Sequence, residues 1–354
     1  MADQWWRAGE DVRYARTHAR EGGNGMSTNG KPKFAMYWAA ACGGCEIAVL
    51  NIHEKILDVD ANFEVVFWPV AMDAKYKDVE AMDDGSILLT LFNGAIRNDE
   101  NEYMANLLRR KSKLLVAFGS CANEGCMPAL ANLYNINEIV DTAFSTPTTD
   151  NPQNIRPHTS YSVPEGELHI PTLYPAVRTL DQVVPVDYYM PGCPPESHQI
   201  AAVIDLVIQV LQGKAELPPA GSVIGAGGST VCDDCPRTRN EKKIKKFERI
   251  QNIMIDPELC ILEQGVLCSG PATRSGCTAL CPKAGSPCIG CYGPAEGAED
   301  YGSRLMTAVA SVIDSNDPAE IERIFEGIPD PVGQFYRFNL AGSLLRFSKS
   351  AWKG

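Results

Sequence analysis

The chain has 354 residues, 45% of them hydrophobic, and a formal net charge of −12. This length accommodates two domains, and the acidic balance argues against a general nucleic-acid-binding protein, because affinity for phosphate backbones depends on clustered Lys and Arg. The chain also has 13 cysteines, five from Cys42 to Cys193 and eight from Cys232 to Cys291. Such a number indicates either a disulfide framework or a set of thiolate metal ligands.

The N-terminal residues 1–33 form a polar, Gly-rich extension. This extension lacks the basic start and the apolar run of a secretory signal, and it has no twin-arginine pair, since Arg16 and Arg20 stand apart. No segment of the sequence contains the roughly 20 apolar residues that span a membrane. The sequence therefore predicts a cytoplasmic protein, where cysteines in this number favour metal binding over disulfides.

Residues 34–213 alternate between strand-like and helix-like segments. This alternation predicts an α/β domain with a doubly wound parallel sheet covered by helices on both faces. The segment 145–175, rich in Thr, Pro and Asn, predicts a long insertion or loop. Strands are predicted at Phe34–Trp38, Phe63–Val70, Ser86–Phe92, Leu114–Phe118 and Val183–Tyr189, and helices at Glu46–Leu57, Glu100–Arg110 and Ile200–Leu211.

The composition changes after Gly213. Residues 214–300 begin with a Pro- and Gly-rich linker and continue into a small, irregular, cysteine-dense domain that has too little apolar periodicity to build much core of its own. Metal clusters could stabilise such a domain, because ligand binding supplies folding free energy. Residues 301–354 predict a C-terminal tail with helices at 304–313 and 318–328. A basic run from Arg237 to Arg249 predicts a solvated helix face, or a docking surface for an acidic partner or a membrane.

Four cysteines directly follow predicted strands of the first domain. Cys42 and Cys45 follow the first strand, Cys121 follows Leu114–Phe118, and Cys193 follows Val183–Tyr189. Loops at the carboxyl ends of strands in an open α/β sheet converge on one crevice, and four thiolates are what a cubane iron–sulfur cluster requires. The alternative is that the cysteines are buried small apolar residues.

The other eight cysteines divide by number into two further sets of four. Zinc is the competing interpretation, because two Cys-x-x-Cys pairs resemble a zinc ribbon. Under that interpretation the four cysteines between the pairs would have no partners. The eight are Cys232, Cys235, Cys260, Cys268, Cys277, Cys281, Cys288 and Cys291.

Three motifs resemble the small subunit of nickel–iron hydrogenases over about residues 34–300. They are Cys42-Gly-Gly-Cys45-Glu46, Gly119-Ser120-Cys121 and Pro191-Gly192-Cys193-Pro194-Pro195. The resemblance implies a flavodoxin-like first domain whose four motif cysteines ligate a proximal cluster beside a nickel–iron centre in a separate large subunit. A quinone-reductase subunit of respiratory complex I shares this domain, but it typically has adjacent cysteines in its first motif and lacks a second cluster domain.

The resemblance also divides the eight later cysteines. It implies a distal cluster held by Cys232, Cys235, Cys260 and Cys268. It implies a medial cluster held by Cys277, Cys288 and Cys291, with Cys281 as the candidate fourth ligand. Cys232 stands where many members have histidine, and Cys281 where many have proline, and both departures resemble the cytoplasmic branches of the family. Ligand number alone leaves 3Fe–4S and 4Fe–4S clusters open.

Two further residues lie close to the first motif cysteines. Cys126 matches one of the two extra cysteines found in oxygen-tolerant members, whereas the other position is Gly44 here. Cys126 is therefore interpreted either as a neighbour of the proximal cluster or as a packed thiol. Glu46 is a candidate for the start of a helix, where a carboxylate is favourable, and for subunit contact or proton movement.

The function that the resemblance implies is electron transfer. H2 would be split at the nickel–iron centre of the large subunit, in a heterodimer or an oligomer of heterodimers, and this chain would pass the electrons to an acceptor. The first hypothesis is an uptake hydrogenase that feeds a quinone or another respiratory acceptor, in the cytoplasm or at the inner face of the membrane. The second is a bidirectional or a ferredoxin- or flavin-linked cytoplasmic complex. The third is a zinc-stapled structural protein.

Overall fold

The computed structural model describes residues 30–240 and 244–345. Most of the predicted N-terminal extension and residues 346–354 of the predicted tail lie outside the described residues. The strands of the described part are β1 (Lys33–Trp38), β2 (Glu64–Phe67), β3 (Ile87–Asn93), β4 (Ile96–Asn98), β5 (Ser112–Phe118), β6 (Ser160–Val163), β7 (Gly166–His169), β8 (Leu173–Arg178) and β9 (Tyr188–Met190). No helix among these residues is long and apolar enough to cross a membrane.

The central sheet has five parallel strands in the order β2-β1-β3-β5-β9. Counted along the chain, this order is 2-1-3-4-5, which is that of doubly wound, flavodoxin-like sheets. The predicted fold class is therefore confirmed. Because all five strands point the same way, the loops after β1, β3, β5 and β9 emerge at one edge of the sheet.

Helices cover both faces of the sheet. The α-helices of the described residues are α1 (Gly44–Leu50), α2 (Ile56–Asn62), α3 (Tyr76–Glu80), α4 (Asp99–Lys111), α5 (Ser120–Glu124), α6 (Ile136–Phe144), α7 (Ser197–Leu211), α8 (Val231–Asp234), α9 (Leu280–Lys283), α10 (Tyr301–Ala310), α11 (Pro318–Glu326) and α12 (Pro331–Phe335). Side chains alternate along β1, so that Phe34 and Met36 pack with α1, α2 and α7, whereas Ala35 and Tyr37 pack on the opposite face with α3 and α4.

Some predicted elements are shorter than expected. The helix predicted at 46–57 ends at Leu50 and is followed by a short 3-10 turn at His53–Lys55, where His53 has a φ of 57°. The strand predicted at 183–189 begins only at Tyr188, because Pro185 has no amide hydrogen to donate to a ladder. The segment 145–175 contains the hairpin β6–β7, and β8 pairs antiparallel with β4.

The cysteine-dense segment shares an apolar core with the C-terminal helices. This core includes Phe247 and Val266 from the segment and Leu305, Val309 and Phe335 from the helices. The C-terminal helices thus supply the apolar packing that the cysteine-dense segment cannot provide for itself. The predicted domain boundaries at residues 213 and 300 stay a prediction.

Candidate metal centres

The first thiol set lies at the edge of the sheet where the strands end. Cys45 is in α1, Cys121 is in α5, and Cys42 and Cys193 are in the loops after β1 and β9. Cys126 is also here, with 3.7 Å between its Sγ and that of Cys193. Burial raises the pKa of Cys45, and so do the charges of neighbouring residues, including the thiols of Cys193, Cys42 and Cys126 in that order. All five thiols are free, and Cys42 and Cys193 are exposed to solvent.

Glycine shapes the backbone of this first set. Gly119, which joins β5 to α5, has a φ of +81°, and a Cβ on it would lie 2.4 Å from the Sγ of Cys45. Only glycine combines that conformation with so close an approach of backbone to thiol. The Gly-Ser-Cys motif therefore places Cys121 and Cys45 around the same space.

The set predicted as distal lines one small cavity of about 20 Å³, whose wall includes Cys232, Cys235, Cys260 and Cys268. A Cβ on Gly270 would lie 3.0 Å from the Sγ of Cys232 and 3.8 Å from that of Cys268. Burial raises the pKa of Cys232 to about 12 and that of Cys268 to about 11, and in both cases neighbouring thiols add to the effect.

Arg237 connects the segments that carry this set. Its buried guanidinium donates to the carbonyl oxygens of Pro282, Asp256 and Leu259 at 2.8, 2.6 and 3.0 Å. The basic run that begins here is not helical in its described residues, 237–240 and 244–249. Its first arginine therefore has a structural role rather than a place on a solvated helix face.

The set predicted as medial lies between the other two. Burial raises the pKa of Cys291 to about 12, and the neighbouring thiols of Cys277, Cys193 and Cys281 contribute to that shift in this order. Cys281 thus lies near Cys277 and Cys291, as the fourth-ligand interpretation requires. The thiol of Cys288 is buried, and its pKa is raised first by that burial and then by Cys268 and Cys291.

Two hydrogen bonds connect the three sets. The hydroxyl of Ser120 donates to the carbonyl oxygen of Cys291 at 2.5 Å, which links the first set to the second. The amide of Cys288 donates to the Sγ of Cys268 at 3.3 Å, which links the second set to the third. Through these hydrogen bonds the first set adjoins Cys291, and Cys288 adjoins the set around Cys268.

Known proteins resemble this chain over most of its length. The family model described as NADH ubiquinone oxidoreductase, 20 kDa subunit, matches residues 42–207. The iron-sulfur subunit of the F420-non-reducing hydrogenase of Archaeoglobus profundus is 38% identical over 320 residues, covering 88% of this chain and 97% of that protein. The corresponding subunit of the Methanothermobacter marburgensis F420-non-reducing hydrogenase is 34% identical over 322 residues, covering 89% and 96%.

The chain belongs to the family of nickel–iron hydrogenase small subunits. The resemblance inferred from the three cysteine motifs is therefore confirmed, and the chain is one subunit of a hydrogenase. A looser likeness links it to a chain of the solved NAD+-reducing NiFe-hydrogenase in the H2-reduced state, with 27% identity, a TM-score of 0.44 and coverage of 53% of this chain and 96% of that one.

The thiol sets suit the iron–sulfur clusters that hydrogenase small subunits carry. Buried thiols held side by side are difficult to ionise, because the thiolates would repel one another in a medium of low polarity. A bound metal supplies the positive charge that stabilises them as thiolates. The pKa values of Cys45, Cys232 and Cys291 are all raised in this way, as expected for ligands arranged around such a group.

A single zinc ion fits these sets less well. Zinc in a ribbon is bound by four ligands about 2.3 Å from one point. Within residues 30–240 and 244–345, no three Cys, His, Asp or Glu side chains converge closely enough for one metal ion. The four thiols that line the cavity of the set predicted as distal therefore do not meet at the single point that a zinc ion requires.

Sequence reasoning missed two buried polar residues beside the first set. Ser120, only 1% exposed, stood out in the sequence solely as part of a motif, although it bonds to the Cys291 loop. Asn93, the last residue of β3, has no exposed surface and donates from Nδ2 to both carboxylate oxygens of Glu46, at 3.1 and 3.0 Å. The sequence did offer one indication of its role: Asn93 directly follows a predicted strand and so lies at the sheet edge that carries the cysteines.

Glu124 was also missed. It lines a polar cavity of about 500 Å³ together with Asn123, Asp181 and Arg274. Burial raises the pKa of its carboxyl to about 8, and its Oε2 atom is buried without a hydrogen-bond partner. Glu124 lies three residues after Cys121, and nothing in the sequence around it indicates that its carboxylate is buried.

Proposed function

We propose that this chain is the electron-transfer subunit of a hydrogenase whose nickel–iron centre lies in a separate large subunit. Its cysteines would hold three iron–sulfur clusters, which supply one-electron transfer when bound. The observation that carries this proposal is the continuity of the thiol sets. Cys291 is hydrogen-bonded to the loop of the first set, and Cys288 to a thiol of the third, so each site adjoins the next.

The proposed ligands follow the three thiol sets. The proximal site is supported by the convergence of loops after three parallel strands, and the distal site by the cavity that four thiols share. The medial site is supported by the proximity of its thiols, because Cys277 raises the pKa of Cys281 and both raise the pKa of Cys291. The proposed ligands are Cys42, Cys45, Cys121 and Cys193 for the proximal cluster, Cys277, Cys281, Cys288 and Cys291 for the medial cluster, and Cys232, Cys235, Cys260 and Cys268 for the distal cluster.

A 4Fe–4S cluster at the medial site is favoured over a 3Fe–4S cluster. A cubane with four irons needs four protein ligands. Cys281, in α9, is half-buried and interacts with both Cys277 and Cys291. Its thiol is therefore available to the same site as the other three.

The large subunit is proposed to cover the first thiol set. Trp38, Ile47, Leu50 and Met127 leave 43%, 59%, 50% and 47% of their surfaces exposed. They flank the motifs of this set in sequence, where Cys42 is itself exposed. Exposed apolar surface next to a functional site is typical of a protein–protein interface. The partner would shield the cluster from water and bring its nickel–iron centre close.

The distal site is proposed as the exit for electrons. Cys232, Cys235 and Cys260 are only partly buried, so these thiols can be reached from solvent, as an acceptor that docks at this set would require. The first candidate function is H2 uptake that feeds a quinone or another respiratory acceptor, with the complex in the cytoplasm or on the inner face of the membrane. The second candidate is a cytoplasmic complex whose acceptor is a ferredoxin or flavin protein. The relatives' names, F420-non-reducing hydrogenases, exclude only F420 as the acceptor of those proteins and are compatible with both candidates.

Purification of the chain with its native partners tests these proposals. The expected preparation reduces a dye with H2, contains iron and acid-labile sulfide, and gives electron paramagnetic resonance signals from three clusters. Zinc without sulfide would contradict the electron-transfer function. A co-purifying flavin or ferredoxin subunit would select the second candidate, whereas quinone reduction without one would select the first.

A further inference from the structure

Residues 133–176 form an arm in which no side chain is buried. The residues that flank this arm, Asn132 and Val177, are each only 2% exposed. The arm contains α6, the hairpin β6–β7 and the start of β8. It nevertheless carries many apolar side chains, so the folding of this chain leaves much of their surface in contact with water.

Two hydrogen bonds close the base of the arm. The side chain of Asn132 donates from Nδ2 to the carbonyl oxygen of Val177 at 3.1 Å, and its Oδ1 accepts from the amide of Val177 at 2.7 Å. Both bonds are buried, where a hydrogen bond is electrostatically stronger than in water. The arm therefore starts and ends at one fixed point of the fold.

The hairpin of the arm has one apolar face and one polar face. Tyr161 of β6 pairs with Leu168 of β7, and the amide of Ile170 donates to the carbonyl oxygen of Thr159. Because side chains alternate along a strand, Tyr161, Leu168 and Ile170 share one face, and they leave 64%, 58% and 51% of their surfaces exposed. A two-stranded hairpin is marginally stable in water unless it packs against another element. The opposite face carries Ser160, Ser162, Glu167 and His169.

Helix α6 also leaves its apolar face uncovered. Ile136, Ile139, Val140 and Phe144 have the spacing of one helix face, yet the helix has no buried residue. Single exposed apolar residues are ordinary on a protein surface. A helix and a hairpin that both expose an apolar face within one segment indicate a protein–protein interface.

The base of the arm lies at the sheet edge that carries the first thiol set. A 3-10 helix at Met127–Leu133 joins Cys126 to the arm, and β8, which ends the arm, pairs with β4 just beyond the carboxyl end of β3. Met127 belongs to the surface that the large subunit is proposed to cover. Tyr134, the second residue of the arm, is 54% exposed, so exposed apolar residues continue along the chain from that surface into the arm.

The charge of the arm indicates the kind of partner. Its only Lys or Arg is Arg156, which pairs with Asp141. A second copy of this chain would bring another acidic arm and a net charge of −12, so the two arms would repel each other. A groove lined by apolar side chains and rimmed by Lys and Arg would complement this surface. The acidic residues of the arm are Glu138, Asp141, Asp150, Glu165 and Glu167.

We propose that residues 133–176 are a docking arm that places its apolar face in a basic-rimmed groove of the hydrogenase large subunit. This inference rests on the proposed function, because it requires that subunit. Docking would cover the apolar faces of the hairpin and of α6, and it would hold the partner at a second place beyond the loops of the first thiol set. The arm contains no cysteine, so it contributes to assembly without binding a cluster.

Site-specific photo-cross-linking in the purified complex tests the contact. A benzophenone-bearing amino acid takes the place of Leu168 on the apolar face and, as the matched control, of His169 on the polar face. We expect irradiation to join this chain to the large subunit from position 168 and not from position 169. Equal cross-linking from both positions would overturn the proposal. So would a product from position 168 that joins a second copy, another subunit or this chain itself.

Removal of the apolar side chains tests their contribution to affinity. Tyr161→Ser combined with Leu168→Ser should raise the Kd of the heterodimer about tenfold or more, because truncation of a few central contacts commonly has an effect of this size. Ser162→Ala combined with His169→Ala changes the opposite face and should keep the Kd within about twofold of wild type. The Kd is measured from the fraction of large subunit that co-elutes with this chain in a dilution series. An unchanged Kd in the first double variant would overturn the proposal.

The outcomes distinguish this inference from the proposed function. Absence of a large subunit, or of iron and sulfide, from the wild-type complex would contradict the proposed function. An active complex in which position 168 does not cross-link to the large subunit would overturn the docking arm alone. We expect the first double variant to keep the iron content of wild type. If that variant does not accumulate, the cross-linking experiment, which leaves the rest of the arm unchanged, still decides.

Discussion

The hydroxyl of Ser120 donates a 2.5 Å hydrogen bond to the carbonyl oxygen of Cys291, across 171 positions of sequence. The same oxygen atom of Ser120 accepts from the amide of Gly192 at 3.3 Å. One side chain, 1% exposed, therefore fastens together the loops that carry Cys121, Cys193 and Cys291. The relative position of the first thiol set and Cys291 depends on it.

Removal of this hydroxyl should loosen the junction between the two sites. Ser120→Ala leaves the Cys291 carbonyl and the Gly192 amide without their buried partner, and such losses destabilise by about 1–3 kcal/mol. We expect a melting temperature lower by a few degrees and altered line shapes of the proximal and medial signals. Ser162→Ala, at an exposed position in β6, should change neither, and equal melting of the two variants would refute the role of Ser120.

Cys193 and Cys126 should differ in their effect on iron content, although their sulfurs are 3.7 Å apart. Cys193→Ala removes a proposed ligand and should cost about four iron atoms per chain, the content of one cubane cluster. Cys126→Ala should retain all of the iron, because the other four thiols still surround the site. Iron and sulfide analysis of the two purified complexes decides the point, and loss of iron from Cys126→Ala would make Cys126 a ligand.

Cys281 should determine the type of the medial cluster. Cys281→Ala leaves three thiols at this site, and we expect one 4Fe–4S cluster to be replaced by a 3Fe–4S cluster, recognisable by its signal in the oxidised state. Cys126→Ala is the control for removal of a thiol outside the set. A medial signal that is identical in Cys281→Ala and wild type would mean that Cys281 is not a ligand.

The stability of the protein should depend on pH through Glu124. Burial raises the pKa of this carboxyl from 4.5 to about 8, so the folded state favours the protonated form more than the unfolded state does. The resulting stabilisation is complete below the pKa of Glu124 in the unfolded state and is lost as the pH rises to its pKa in the folded state. The free energy of unfolding falls by at most about 1.4 kcal/mol per pH unit in this range.

Glu124→Gln should remove this dependence. Its melting temperature relative to wild type should increase steadily between about pH 5 and pH 8. Glu322→Gln, on the exposed side of α11, should follow wild type throughout. Parallel curves for Glu124→Gln and wild type would show that the buried carboxyl does not titrate in this range.

The convergence of the first thiol set could be predicted from the sequence. Apolar runs followed by Gly and Cys indicated parallel strands, and the carboxyl ends of parallel strands share an edge. Cys42, Cys121 and Cys193 are therefore placed by a regular geometry. The end of β3 obeys the same rule, but Asn93 escaped notice because an amide, unlike a thiol, does not indicate metal chemistry by itself.

The positions of the later cysteines relative to one another could not be predicted from strand periodicity. Around Cys268, Cys288 and Cys291 the chain has little regular structure, so no periodicity relates one residue to the next. Their neighbours are set by single contacts, such as the amide of Cys288 on the Cys268 sulfur and the guanidinium of Arg237 on three carbonyls. The division into medial and distal ligands came from family resemblance and stays a prediction.

The shared core of the cysteine-dense segment and the C-terminal helices bears on how the chain is made. Gly302 lies so close to the ring of Tyr336 that a Cβ would approach it to 2.2 Å, so α10 packs directly against the residue that follows α12. Domains fold as their residues emerge from the ribosome, and the flavodoxin-like part can do so early. The pockets around the later cysteines lack this packing until α10 and α12 have been synthesised, so any clusters there should be inserted after the ribosome has passed α12.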